Sequence, residues 1–194
     1  MKSKKEGKAV RDNLMEIQNI VPGTTIEAGG IKMEVLDCAY ASANEKEIGV
    51  LCLAKDILFQ KKFDKENNNN WEKSSLREYL NGKYKKNLDK ELVSALLPFK
   101  RNLMSDDGTK DYGICVDLVS LISEREYQDY RDYISDKPSW WWTLTAWSVK
   151  LGDSHYVQGV TINGNFSCNR AQDSYNGICP VFLLLPSLKV KIVN

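Results

Sequence analysis

The 194 residues carry 42% hydrophobic and 27% charged side chains and a net charge of +1, with a pI of about 7.5. That is the make-up of a soluble globular chain with sequence enough for one core. It excludes binding of duplex nucleic acid through a broad basic face, and no apolar run reaches the roughly 18 residues that a membrane-spanning helix needs.

The chain opens with MKSKKEGKAVRDNLMEI. This start lacks the apolar stretch and small-residue cleavage site of a secretory signal, so cytoplasmic residence is expected. Val10, Leu14, Met15 and Ile17 fall on one side at helical spacing and predict a helix from Lys8 to Asn19, ended by Val21-Pro22-Gly23. Residues 1–20 are therefore expected as a basic N-terminal helix and 21–194 as the domain proper. The first eleven residues hold five bases and one acid, +4 locally, which leaves −3 for the rest. A solvated end is the plain account of those lysines, and a nucleic-acid arm the alternative.

From Thr24 the period turns strand-like. Ile31, Met33, Val35 and Leu36, then Ile48 to Leu53, are joined by the polar ASANEKE and predict an antiparallel pair. KKFDKENNNNW, residues 61–71, is expected as a polar surface loop, because its asparagines bury too little apolar surface to order themselves. Helix starts follow. Ser75 with Glu78 reads as a capping box before Leu76, Tyr79, Leu80 and Tyr84. Asp89 caps a second helix over Leu88 to Leu97, stopped by Pro98. Ser123 with Glu126 opens a third, with Tyr127, Tyr130 and Ile134 on one side. Between the last two, Ser105-Asp106-Asp107-Gly108 is a turn and GICVDLVSLI a strand. Strands return after Trp140: Tyr156 to Ile162 and Phe166 to Cys168 flank Asn163-Gly164, a strong hairpin signal, and Ile178 to Leu185 has the length of a buried strand. This order gives an α+β fold with a mostly antiparallel sheet.

Catalytic and metal chemistry has little support in the residues. The cysteines at 38, 52, 115, 168 and 179 are odd in number and contain no C-x-x-C, so they read as small buried hydrophobes. A single histidine, His155, excludes multi-histidine metal sites, and no metal or cofactor is expected. Phosphate-loop, dinucleotide, zinc-protease and G-x-S-x-G patterns are absent. The acidic pairs Asp106-Asp107, Glu124 with Glu126, and Asp129 with Asp132 read as caps and solvated faces, since none lies in an apolar run. Asp117 does lie in one, although strand alternation allows it a polar side.

The unusual stretch is SWWWTLTAW, residues 139–147, with four of the five tryptophans. Three adjacent indoles cannot share one face of a strand, so at least one is expected to leave the core or line a groove. Downstream, Asn163, Asn165, Asn169, Arg170, Gln172, Asp173, Tyr175 and Asn176 crowd a hairpin and its following loop. Such segments are adaptable binding surfaces, with simple turn chemistry as the alternative.

GGIKMEVLD, NNWEKSSLREYLNGKY, GICVDLVSLISEREYQDY, WWWTLT, YVQGVTINGNF and YNGICPVFLLL, in this order, resemble an uncharacterised bacterial domain family frequent in gut bacteria and their mobile elements. Its most specific element, W-x-x-S-x-L-R-x-x-L-N, is met by Trp71, Ser74, Leu76, Arg77, Leu80 and Asn81. The looser W-W-L-R-S pattern falls on Trp141 and Trp142, with Thr143, Leu144 and Thr145 departing from it, and Cys179 replaces the arginine of the closing G-V-R-P-A-L. That family is in turn similar to the C-type-lectin-like fold shared with formylglycine-generating enzymes. The resemblance implies a terminal sheet supported by Trp141 and Trp142 and a displayed surface over Asn163 to Asn176. The calcium-site sequences E-P-N and W-N-D and the paired cysteines of the formylglycine enzymes are missing, which points away from catalysis. The resulting expectation is a non-catalytic binding module, with a protein partner met by Trp141, Trp142, Trp147, Asn163, Asn165, Asn169, Arg170, Asp173, Tyr175 and Asn176. The rivals are a mobile-element inhibitor of a bacterial defence complex and an enzyme with an unrecognised site.

Overall fold

The computed structural model describes residues 14–150 and 152–193. Leu14 to Asn19 corrects the helix expected at the start: it is a strand, β1 (Leu14–Glu16), and a single 3-10 turn (Ile17–Asn19). Backbone bonds to the end of the chain replace those a helix would make, Ile17 N–H donating to Leu188 O at 2.9 Å and Gln18 N–H to Pro186 O at 3.2 Å. Ile17 and Ile20 are inserted into the core while Leu14 and Met15 stay exposed. The rest of that expected helix and the basic cluster lie outside the described residues.

The strands in chain order are β2 (Thr25–Ala28), β3 (Ile31–Ala41), β4 (Ile48–Ala54), β5 (Phe59–Gln60), β6 (Phe99–Asn102), β7 (Ile114–Asp117), β8 (Val119–Ser120), β9 (Trp141–Ala146), β10 (Tyr156–Val160), β11 (Phe166–Arg170), β12 (Gly177–Ile178), β13 (Val181–Leu184) and β14 (Lys189–Ile192). A seven-stranded sheet runs β1-β14-β2-β3-β4-β13-β8, a five-stranded sheet runs β11-β10-β9-β12-β5, and β6 and β7 form a hairpin of their own. The pairing of β12 with β9 is parallel and the other described pairings are antiparallel, so the α+β, mostly antiparallel expectation holds.

The central strands of both large sheets, β4, β13 and β9, are buried on both faces. Val35, Cys52, Phe182, Trp142 and Leu144 point into one core with Phe63, Trp71, Leu76 and Leu80. Leu51, Leu53, Leu183, Trp141 and Val160 point into a second with Phe99, Tyr127 and Ile134. A strand covered on both sides needs no polar alternation, which is why VLCLA and VFLL read as continuous apolar runs. The expected closing strand over Ile178 to Leu185 is instead broken at Cys179-Pro180. Its first part joins the five-stranded sheet as β12 and its second joins the seven-stranded sheet as β13.

The helices are short. α1 (Ser75–Tyr79) starts one residue earlier than expected, because Ser74 Oγ accepts the Arg77 N–H, whereas Ser75 Oγ accepts from Lys65 N–H. It runs into a π-helical turn at Leu80–Tyr84. Asp89 caps α2 (Lys90–Ser94) by accepting from Glu91 and Leu92 N–H, and the helix stops where Leu97 N–H turns to Leu183 O. α3 (Glu124–Asp129) has the full capping box between Ser123 and Glu126.

The asparagine-rich tract 61–71 corrects its reading as an unordered surface loop. Phe63, Asp64, Asn69, Asn70 and Trp71 are buried. Asn69 Nδ2 donates to Ser148 O at 2.8 Å and Tyr156 O at 2.9 Å, while its Oδ1 accepts from Tyr112 Oη at 2.7 Å. A polar side chain here fixes the tract to the backbone, giving the Ser148 carbonyl its donor and the Tyr156 carbonyl a second one beside Trp147 N–H. The expected strand GICVDLVSLI is likewise broken, into β7 and β8, at a point gripped by α1. Buried Asp117, far from lying on a polar side, accepts from Trp71 Nε1 (2.8 Å), Arg77 Nε (2.6 Å) and Ser120 Oγ (2.9 Å). Asn81 Nδ2 donates to Val119 O, and its Oδ1 accepts from Leu118 and Val119 N–H. The W-x-x-S-x-L-R-x-x-L-N pattern is thus a clamp: Ser74 caps, Leu76 and Leu80 fill the core, and Trp71, Arg77 and Asn81 hold the break between β7 and β8.

Candidate functional site

The residues expected to form one surface are distributed over three environments. Trp141 and Trp142 are 1% and 0% exposed. The first packs edge-on against Tyr127 and the second against Phe63, with its indole N–H donating to Lys61 O at 3.0 Å. Neighbouring indoles do face opposite sides, but each side is a core, so neither is available to a ligand. Asn176 is also buried, its Oδ1 accepting from Asn169 Nδ2 at 3.1 Å.

The hairpin between β10 and β11 separates the remainder. Its turn is the three-residue loop Ile162-Asn163-Gly164, closed by Thr161 N–H to Asn165 O and Gly164 N–H to Thr161 O, with Gly164 at φ +75°. Asn163 and Asn165 are exposed at this tip, where Tyr127 Oη donates to Gly164 O. Trp147 and Arg170 lie at the other end of the hairpin, since Trp147 N–H bonds Tyr156 O and Tyr156 pairs with Arg170. The two ends are about 13 Å apart, four residues at about 3.3 Å each.

At the Trp147 end the backbone is firmly held. The carbonyls of Ser148 and Tyr156 are both held by Asn69. Asp173 Oδ2 accepts from Arg170 N–H and from Tyr175 Oη, closing the loop after β11. Trp147 is 41% exposed and Tyr175 54%, so two aromatic rings and the exposed Arg170 stand on a rigid base.

Beside this end lies a groove of about 430 Å3, bounded by the β6–β7 hairpin, the first turn of α3 and the end of β9. Asp106 borders it, and its N–H bonds Ala146 O, the residue before Trp147. At its inner end Arg101, 1% exposed, is held by both oxygens of Glu126 at 2.6 and 2.5 Å and by Leu121 O, and Tyr40 Oη donates to the same carboxylate. Burial works against the Glu126 charge, but the Arg101 guanidinium overrides it and holds the carboxyl at about 2. The opposite happens at Glu124, half-buried and facing Asp106: burial first and the Asp106 charge second push its carboxyl up to about 7. This departs from the reading of the acidic pairs as caps and solvated faces for Glu124 and its neighbour Asp106 alone; Glu126 does cap α3, and Asp129 and Asp132 are exposed. The sequence signal was hidden because Asp106 and Glu124 are 18 positions apart and neither sits in an apolar run.

His155 stacks on Tyr156, whereas Asp117 is enclosed by the α1 clamp with Cys115 Sγ at 4.0 Å, so the histidine and this aspartate form no shared site. The five cysteines are unpaired; Cys52, Cys115 and Cys179 are buried as expected, while Cys38 and Cys168 are half-buried. Among the described residues no three His, Cys, Asp or Glu side chains converge as metal ligands would, and no helix is long and apolar enough to cross a membrane.

No curated protein and no solved structure matches the chain. One family model does match, described as a domain of unknown function, over residues 48–186, which takes in the α1 clamp, the groove and the Trp147 end of the sheet. The chain belongs to that family, DUF6273.

Proposed function

We propose that the domain is a non-catalytic binding module whose partner is a protein, met by Trp147, Arg170 and Tyr175. In its narrower form the reading is of a bacterial, cytoplasmic display domain of C-type-lectin-like type. The carrying observation is that two exposed aromatics and an exposed arginine stand on segments around the ends of β9 and β11 that Asn69 and Asp173 immobilise. Tyr, Trp and Arg dominate binding energy at protein interfaces, and a pre-ordered loop loses little entropy on docking.

A photo-crosslinking amino acid placed at Trp147 or Tyr175, with controls at Val21 in the loop before β2 and Ile192 on the seven-stranded sheet, tests this in a lysate of the native host. The expected result is a protein adduct at 147 and 175 that is absent at the control sites and lost in Arg170→Glu. Equal adducts at all four positions would remove the assignment.

A further inference from the structure

The groove beside Trp147 has a charge imbalance that its own residues do not settle. Three cations line it, and each is already engaged: Lys100 with Glu45, Arg101 with Glu126 and Arg125 with Asp129. Two further carboxyls, Asp106 and Glu124, face one another, and among the described residues no Lys or Arg nitrogen pairs with either. Glu124 Oε2 is enclosed and receives no donor. An enclosed acceptor without a partner is costly, so the site favours anything that brings a donor and a positive charge.

The walls narrow the class of occupant. Alternation along the hairpin buries Phe99, Arg101, Cys115 and Asp117 and turns Ile114 and Val116 outward. Ile114, 63% exposed, and Met104, 39% exposed, give the groove an apolar wall. A hydrated metal ion gains nothing from such a wall. A long aliphatic stem ending in a cation gains along its whole length, as Lys and Arg side chains do when their methylenes cover apolar surface.

We propose that the groove receives an Arg or Lys side chain of the protein partner, its charged head between Asp106 and Glu124 and its stem against Met104 and Ile114. This rests on the reading that the partner is a protein, and it gives that partner a required feature, an exposed basic residue with an apolar neighbour.

The test uses the full chain with methyl-labelled Ile and Met at pH 8, where Glu124 is ionised, and the capped tripeptide leucyl-arginyl-leucine followed by NMR. Saturable shifts at the Ile114 and Met104 methyls are expected, with affinity about tenfold above that of the same peptide carrying glutamine at its centre. Glu124→Gln and Asp106→Asn should each lower the arginine peptide's affinity about tenfold; both sites are at least partly exposed, so an unchanged dispersed spectrum verifies folding. Equal affinity for the arginine and glutamine peptides, unchanged affinity in both variants, or shifts confined to other methyls would overturn the proposal. If the tripeptide fails while crosslinking through Trp147 succeeds, the groove assignment alone falls. If the tripeptide binds and crosslinking is non-specific, the Trp147 surface alone falls.

Discussion

Replacing Asp117 by Asn tests whether a single buried carboxylate organises the α1 clamp. Asp117 receives three donors, from Trp71, Arg77 and Ser120, at 2.8, 2.6 and 2.9 Å. Asparagine keeps the volume but offers one acceptor oxygen, and its NH2 group faces a donor. At least one donor is then orphaned, at about 1–3 kcal/mol. The ion pair with Arg77 is lost as well, discounted to about 1–2 kcal/mol because that side chain is 25% exposed. A total of about 2–5 kcal/mol, at about 2 kcal/mol per molar urea, lowers the unfolding midpoint by about 1–2.5 M. Urea titration followed by tryptophan fluorescence reads this directly, with exposed Asp132→Asn as the control that should stay within about 0.5 kcal/mol. A midpoint shift in Asp117→Asn below about 0.5 M would refute the clamp.

Three other outcomes follow from the same geometry. Asn69→Ala should destabilise by about 1–3 kcal/mol in thermal unfolding, since it orphans the Ser148 carbonyl, whereas the Tyr156 carbonyl keeps its bond from Trp147 N–H; Asn67→Ala should cost less. Trp141→Ala and Trp142→Ala should each cost about 3–5 kcal/mol, whereas Trp147→Ala should leave the urea midpoint nearly unchanged. Because the Glu124 carboxyl titrates near 7 in the folded chain and near 4.5 when unfolded, the folded form holds the extra proton between those values. Stability should therefore fall as pH rises from about 4.5 to about 7, a slope that urea midpoints across this range should show and Glu124→Gln should remove. Glu126 works in the opposite sense: its stabilisation by Arg101 is present above about 4.5 and is lost as pH falls towards about 2.

What the amino-acid order discloses is what short range decides. The caps at Asp89 and Ser123 and the turn at Gly164 depend on residues within a few positions of one another, and the β3–β4 pair on neighbouring segments of the chain. The tract around Asn69 escapes such reading, because its partners lie 79 and 87 positions away. Asp117 escapes for the same reason, with Trp71 46 positions away. The indoles at 141 and 142 misled as binding candidates because a strand covered on both faces shows no alternation to reveal that each side is dry. Of the expected surface, Trp147, Arg170 and Tyr175 come to one end of the sheet. Asn163 and Asn165 go to the other, a separation set by hairpin length rather than by residue type.

The break at Cys179-Pro180 also has a kinetic meaning. β12 lies between β9 and β5, and β13 between β4 and β8, so neither sheet is continuous until this late segment is in place. A ribosome adding about 5–20 residues per second exposes β3 and β4 well before their closing partner exists. For several seconds the nascent chain carries the open edge of β4, Val50 to Leu53, which in the finished molecule is covered by Val181 to Leu184. Once residues 177–184 emerge, β12 and β13 join both sheets through the same eight residues, and only β14, which links β1 to β2, remains to be added, so the completion of the two sheets is coupled.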